Sequence, residues 1–87
     1  MSGKEIEMAK GNDLSAAAAA GFAGGDNPHI YSSPNYYAFE LGKYLQASGR
    51  CAPRDVRMGR GDSIRANDMR FAFKGSRAAG IKFERVE

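Results

Sequence analysis

Met69-Arg70-Phe71-Ala72-Phe73-Lys74 alternates large apolar residues with basic or small ones, and this period of two decides the fold. A β-strand sends successive side chains to opposite faces, so Met69, Phe71 and Phe73 line one face, and Arg70, Ala72 and Lys74 the other. The same period extends in both directions. Upstream, Ile64 and Ala66 flank Arg65, and Val56 and Met58 flank Arg57; downstream, Ile81 and Phe83 alternate with Lys82 and Glu84. Turn-forming residues separate these runs at Arg60-Gly61-Asp62, Asn67-Asp68 and Gly75-Ser76. The pattern predicts an antiparallel meander of three or four strands within residues 55–86, with one apolar and one basic face.

An apolar sheet face needs cover, and residues 13–48 supply it with a helical period. Asn12 or Asp13 can cap a first helix, because a short amide or carboxylate accepts a first-turn N–H. Alanines dominate from Leu14 onward, with Leu14, Ala18 and Phe22 on one face and Ala17 and Gly21 beside them. Small residues there admit a second helix at close range, and Gly24-Gly25 ends the first. Before it, residues 1–11 are polar, with Ile6 and Met8 able to lie against the body. After a loop over residues 26–32, Ser33-Pro34 starts a second helix: serine caps and proline fills a position whose N–H has no helical partner. Tyr37, Leu41, Tyr44 and Leu45 share its apolar face, Phe39 lies to one side, and Glu40 and Lys43 can pair on the solvent side. Ser48-Gly49 ends it. The expected architecture is therefore a single α+β domain over residues 1–87, a helical hairpin (13–48) packed on a β-meander (55–86).

Composition narrows the function. With 87 residues, the chain buries only roughly 60–65% of its unfolded surface, so a bound partner or a homodimer would add stability. No run approaches the roughly 18 apolar residues of a membrane span. The alanine-rich stretch 16–23 follows Glu5, Glu7 and Asp13 where an export signal carries basic residues. A single cysteine, Cys51, excludes an internal disulfide and fits a reducing, cytoplasmic compartment. His29 is the sole histidine, too few for a metal site or a nucleophile–base pair. Gly59-x-Gly61 lacks the third glycine and helix of a dinucleotide loop, and Gly42-Lys43 falls inside the second helix, so neither is a phosphate loop. The Arg60-Gly61-Asp62 tripeptide, familiar from adhesion proteins, reads as a hairpin turn. No cofactor, metal or catalytic group is expected, and the chain reads as a binding protein, not an enzyme.

The helical half resembles the ribosome modulation factor family of short bacterial and phage-encoded proteins. The matching stretches are Ala20-Gly21-Phe22-Ala23-Gly24, Asn27-Pro28-His29, and Phe39-Glu40-Leu41-Gly42-Lys43-Tyr44, within roughly residues 13–48. His29 stands where the family usually has tyrosine, Phe39 and Tyr44 replace tryptophans, and alanines replace the basic residues around the first helix. The second half has no counterpart in the short family members. The resemblance implies two helices around the Asn-Pro loop and binding to ribosomal RNA or ribosomal proteins. The same residues also suit plain packing, glycines for close helix contact and aromatics for a core.

Charge is unevenly placed. Residues 1–49 set three lysines against five carboxylates, a balance of −2, whereas residues 50–87 set ten basic residues against five acidic, a balance of +5. Every arginine lies in the second half. This asymmetry points to nucleic acid or to an acidic protein surface. Arg57, Arg65, Arg70 and Lys82 are expected on the basic sheet face, with Arg50 and Arg54 at the linker between the halves. Spaced cations on a sheet can follow phosphates, and an exposed Tyr31, Tyr36 or Tyr37 would stack bases. A solvated face whose charges discourage edge-to-edge association is the plainer reading. The alternative is an inhibitor or adaptor of bacterial or phage type that grips a protein through Tyr31, Tyr36, Tyr37 and Tyr44, tyrosine being frequent at binding hot spots.

Overall fold

The computed structural model describes residues 14–86. It contains helices α1 (Ser15–Ala23) and α2 (Pro34–Ala47), then strands β1 (Arg57–Met58), β2 (Ser63–Ala66), β3 (Met69–Ser76) and β4 (Gly80–Arg85). The strands form one antiparallel sheet in the order β1-β2-β3-β4, so the chain is the expected α+β arrangement with four strands. Asn12 and Asp13, expected as caps, lie outside the described residues, as do Ile6 and Met8. The residue before the first turn of α1 is Leu14, whose side chain makes no capping bond. The start of α1 is held from the β half instead: Leu14 N donates to Val56 O (2.9 Å), and Val56 N donates to Ser15 Oγ (3.1 Å).

The second helix begins and ends as its sequence dictates. Ser33 Oγ accepts from Tyr36 N at 3.1 Å, with Pro34 at the first helical position. At the far end, Gly49 takes φ 74°. Gly49 N donates to Gln46 O (3.2 Å) and Arg50 N donates to Leu45 O (2.9 Å). That pair of bonds is a Schellman motif, which satisfies carbonyls the helix leaves open. Between the helices, Asn27 ties the loop down: its amide nitrogen donates to Tyr36 O and to Glu40 Oε2, both at 3.0 Å, and its Oδ1 accepts from His29 N at 3.0 Å. Glu40, expected to pair with Lys43, thus serves the loop.

The two helices cross through glycine. A Cβ on Gly21 would overlap the carbonyl of Phe39, and one on Gly42 would overlap the carbonyl of Ala18. Phe39, read from sequence as lying aside, is 3% exposed, and its ring meets His29 edge-on at 5.9 Å. On its other side α2 covers the sheet. Tyr37 stacks on Phe73 (4.4 Å), and Tyr44 meets Phe71 (5.8 Å) and Phe83 (5.4 Å). Leu41, Leu45, Val56, Ile64 and Phe71 are fully buried between the layers. The cover stops short of β1. Met58 lies on the apolar face as expected, opposite buried Ile64, yet is 37% exposed, at the edge of the sheet in the two-residue strand β1.

Candidate nucleic-acid interface

The strand register brings the basic residues together. Arg57 lies opposite Arg65, Arg65 lies opposite Arg70, and Lys74 lies opposite Lys82. Residues paired across antiparallel strands share a face, and Ile64 and Phe71, the buried pair next to Arg65 and Arg70, point to the helices. The cations therefore occupy the face turned away from the helices. Arg57 and Arg65 are exposed and Arg70 is half-buried; Lys74 and Lys82 are exposed. Two cationic rows result, three arginines across β1–β3 and two lysines across β3–β4. Ala72 and Glu84, themselves paired, sit between the rows, where Ala72, Lys74, Lys82 and Glu84 line an open hollow.

The hydrogen-bond pattern sets how close the arginines stand. Phe73 N donates to Asp62 O, so the bonded pairs of β2 and β3 alternate from there and Arg65–Arg70 falls on a non-bonded pair. Such pairs have Cα atoms about 4.5 Å apart, nearer than the about 5.5 Å of bonded pairs. The β2–β3 turn fixes this register. Asn67 and Asp68 have φ of 53° and 64°, the left-handed pair of a type I′ turn that makes a two-residue hairpin. Asn67 also braces the linker: its Oδ1 accepts from Arg54 N (2.8 Å) and its N donates to Arg54 O (3.0 Å).

Like charges thus stand directly opposite each other in both rows, an arrangement that on its own costs stability. Lys74 was missing from the sequence-level set, although its alternation with Phe73 marked it for the same face. Arg60 lies in the β1–β2 turn and is exposed. Its carbonyl accepts from Ser63 Oγ at 2.6 Å, and Gly61 takes φ 58°, so Arg60-Gly61-Asp62 is a hairpin turn as expected.

Arg50 and Arg54, expected at the linker between the halves, lie there, between α2 and β1 and off these rows. Arg50 leaves the Schellman motif toward the helix side of the sheet, where Nη1 is 4.0 Å from Met69 Sδ. Met69 belongs to the inward face, so Arg50 does not join the row of Arg57. Arg54 is exposed at the sheet end, in a hollow with Arg50, Cys51 and Asn67. The tyrosines do not form an exposed set. Tyr36 is 8% exposed, contrary to its expected availability for stacking. Tyr31, Tyr37 and Tyr44 are half-buried. Tyr31 meets Tyr36 edge-on at 5.1 Å, and Tyr36 meets Tyr37 at 5.7 Å, so one aromatic train runs from the loop to Phe73. Burial, with Glu40 nearby, raises the Tyr36 hydroxyl above its ordinary pKa, and Arg77 opposes this.

Cys51 is exposed and free. Among the described residues no three His, Cys, Asp or Glu side chains gather as a metal site, and no helix is long and apolar enough to cross a membrane. Comparison of the chain with family models, with curated proteins and with solved structures found no match.

Proposed function

We propose that this chain is a small regulatory protein that binds RNA, or the RNA of a ribonucleoprotein, by phosphate contacts on the outward sheet face. One observation carries the reading: Arg57, Arg65 and Arg70 stand in cross-strand register on the face opposite the helices. Three strands each contribute one cation to a continuous strip, an alignment that packing against the helices does not require. The row suits successive phosphates of one strand, and Lys74 with Lys82 extends it. The resemblance of the helical half to ribosome modulation factors favours RNA as the polyanion. The helical half then acts as scaffold, since Gly21, Asn27, Phe39 and Gly42 all have packing or loop-tying roles. The chain works by binding, not catalysis, and in the cytoplasm, where a free exposed thiol such as Cys51 survives.

The test is binding of single-stranded RNA by fluorescence anisotropy over a range of salt. Neutralising three phosphates on a single strand gives a slope of log K against log salt near −2, from about −0.7 per phosphate. Reversing Arg57 and Arg70 together should weaken binding most at low salt and flatten that slope. Affinity indifferent to both salt and the double reversal would remove the sheet face from the account.

A further inference from the structure

The outer edge of the sheet is self-complementary, and we infer that it pairs two copies of this chain through β4. Val86 N donates to Arg70 O at 2.8 Å, and the register continues from there to Gly80 opposite Ser76. In an antiparallel ladder the bonded positions alternate, so Gly80, Lys82 and Glu84 turn their main-chain groups toward β3. Ile81 and Phe83 therefore turn theirs toward the outer edge. An edge strand of six residues without proline is a template for another strand.

Charge selects which strand. If a second β4 lies antiparallel with a two-fold axis through Phe83, Lys82 faces Glu84 of the second copy and Glu84 faces its Lys82. Phe83 then exchanges main-chain hydrogen bonds with its counterpart, which is the bonding its outward N–H and C=O require. Side chains must keep their faces, so the axis can move only by whole residues. One residue toward the N-terminus places Lys82 against Lys82; one residue the other way places Glu84 against Glu84. The register through Phe83 joins opposite charges in both of its symmetry-related pairs, as an isologous contact demands. It also relieves a fault within the single chain, where Lys82 faces Lys74: the second copy's carboxylate arrives on the other side of Lys82. The outward faces of the two sheets become continuous, with an arginine row on each flank. This contact stands independently of RNA binding.

A charge-swap series by sedimentation equilibrium, without nucleic acid, tests the register. The edge is short, so the wild-type dimer is expected to be weak and to fill as concentration rises toward about 1 mM. Lys82→Glu alone and Glu84→Lys alone each turn two attractions into two repulsions, and each should raise the dimer dissociation constant about ten-fold or more. Mixed together, these two variants regain opposite charges at every pair and should form a heterodimer at least as well as wild type. The double variant Lys82→Glu/Glu84→Lys should also dimerise. Hydrogen exchange at the Ile81 and Phe83 amides should slow in step with the dimer population. A chain that stays monomeric up to about 1 mM overturns the inference. So does a dimer that ignores both single variants, or a mixture that fails to recover it.

Discussion

Gly42 sits where α2 crosses α1, and the atoms a side chain would strike there, the Ala18 carbonyl and the Phe22 N, belong to the backbone. A flexible side chain could turn aside; a helix backbone must move bodily. Gly42→Ala is therefore expected to destabilise the fold by about 1–3 kcal/mol or more, as overpacking does, despite alanine's better helix propensity. Urea denaturation measures this, and a variant as stable as wild type would mean that the helices do not cross there. Asn27 is a second residue with an outsized role, because two bonds of its amide join loop to helix and a third holds His29 N within the loop. Tyr36 gives a test with a defined sign. Its folded pKa is raised above the ordinary 10.0 by burial first and by Glu40 second. Below pH 10 the ring is neutral in both states. As pH rises past that value the unfolded state loses its proton first, so stability falls until the folded pKa is passed. Urea midpoints between pH 9 and 11 should decline more steeply for wild type than for Tyr36→Phe; equal slopes would show that the hydroxyl is not held neutral by the fold.

The elements show which parts of this architecture the sequence displays. The Ser33-Pro34 start and the Gly49 stop of α2 were legible because capping is local: a few adjacent residues determine it. So were β2, β3 and β4, each with an unbroken period of two, and the turn at Asn67-Asp68. Less visible were features that depend on contact across the chain. Phe39 looked peripheral on the helical wheel because the face toward α1 is set by the Gly21–Gly42 crossing, and Met58 looked buried because the helices' reach is not written into a two-residue strand. The turn carries its own prediction. Asn67 holds a left-handed backbone, which most residues adopt only at about 1–2 kcal/mol, and its side chain accepts from Arg54 N. Asn67→Ala should accordingly cost about 2–4 kcal/mol by adding that backbone penalty to a broken hydrogen bond. Asp68→Gly should be neutral or slightly stabilising, since glycine suits the second position of a type I′ turn. Thermal melts of both variants check the pair. Equal destabilisation of both would mean that the turn is not I′.

For the molecule as a whole, the candidate site was half legible. Alternation placed Arg57, Arg65, Arg70 and Lys82 on one face, yet only the register shows that three arginines stand side by side, and only the path of the chain after α2 shows that Arg50 departs from them. On the proposed reading the same alignment links stability to binding. Like charges face each other at Arg57–Arg65 and Lys74–Lys82, and by such pairing alone each pair is expected to disfavour the free chain by about 0.2–1 kcal/mol. A polyanion laid across the face converts that repulsion into attraction. Removing one cation should then move the two properties in opposite directions. Arg57→Thr keeps a residue suited to a strand and should raise the melting temperature of the free chain by about 1–8 °C, from about 4–8 °C per kcal/mol for a domain of this size. It should simultaneously reduce the salt slope of RNA binding by about 0.7, because one phosphate fewer is neutralised. In the wild type, RNA at 100 times its dissociation constant adds about 2.7 kcal/mol, a rise of about 11–22 °C on the same scale. Scans with and without single-stranded RNA, at low and high salt, supply both readings from one experiment. An RNA-induced shift that shrinks with salt and with Arg57→Thr, while the free variant melts higher than wild type, is the expected result. A melting temperature untouched by RNA at low salt would return the cationic rows to the role of a solvated face that keeps sheets apart.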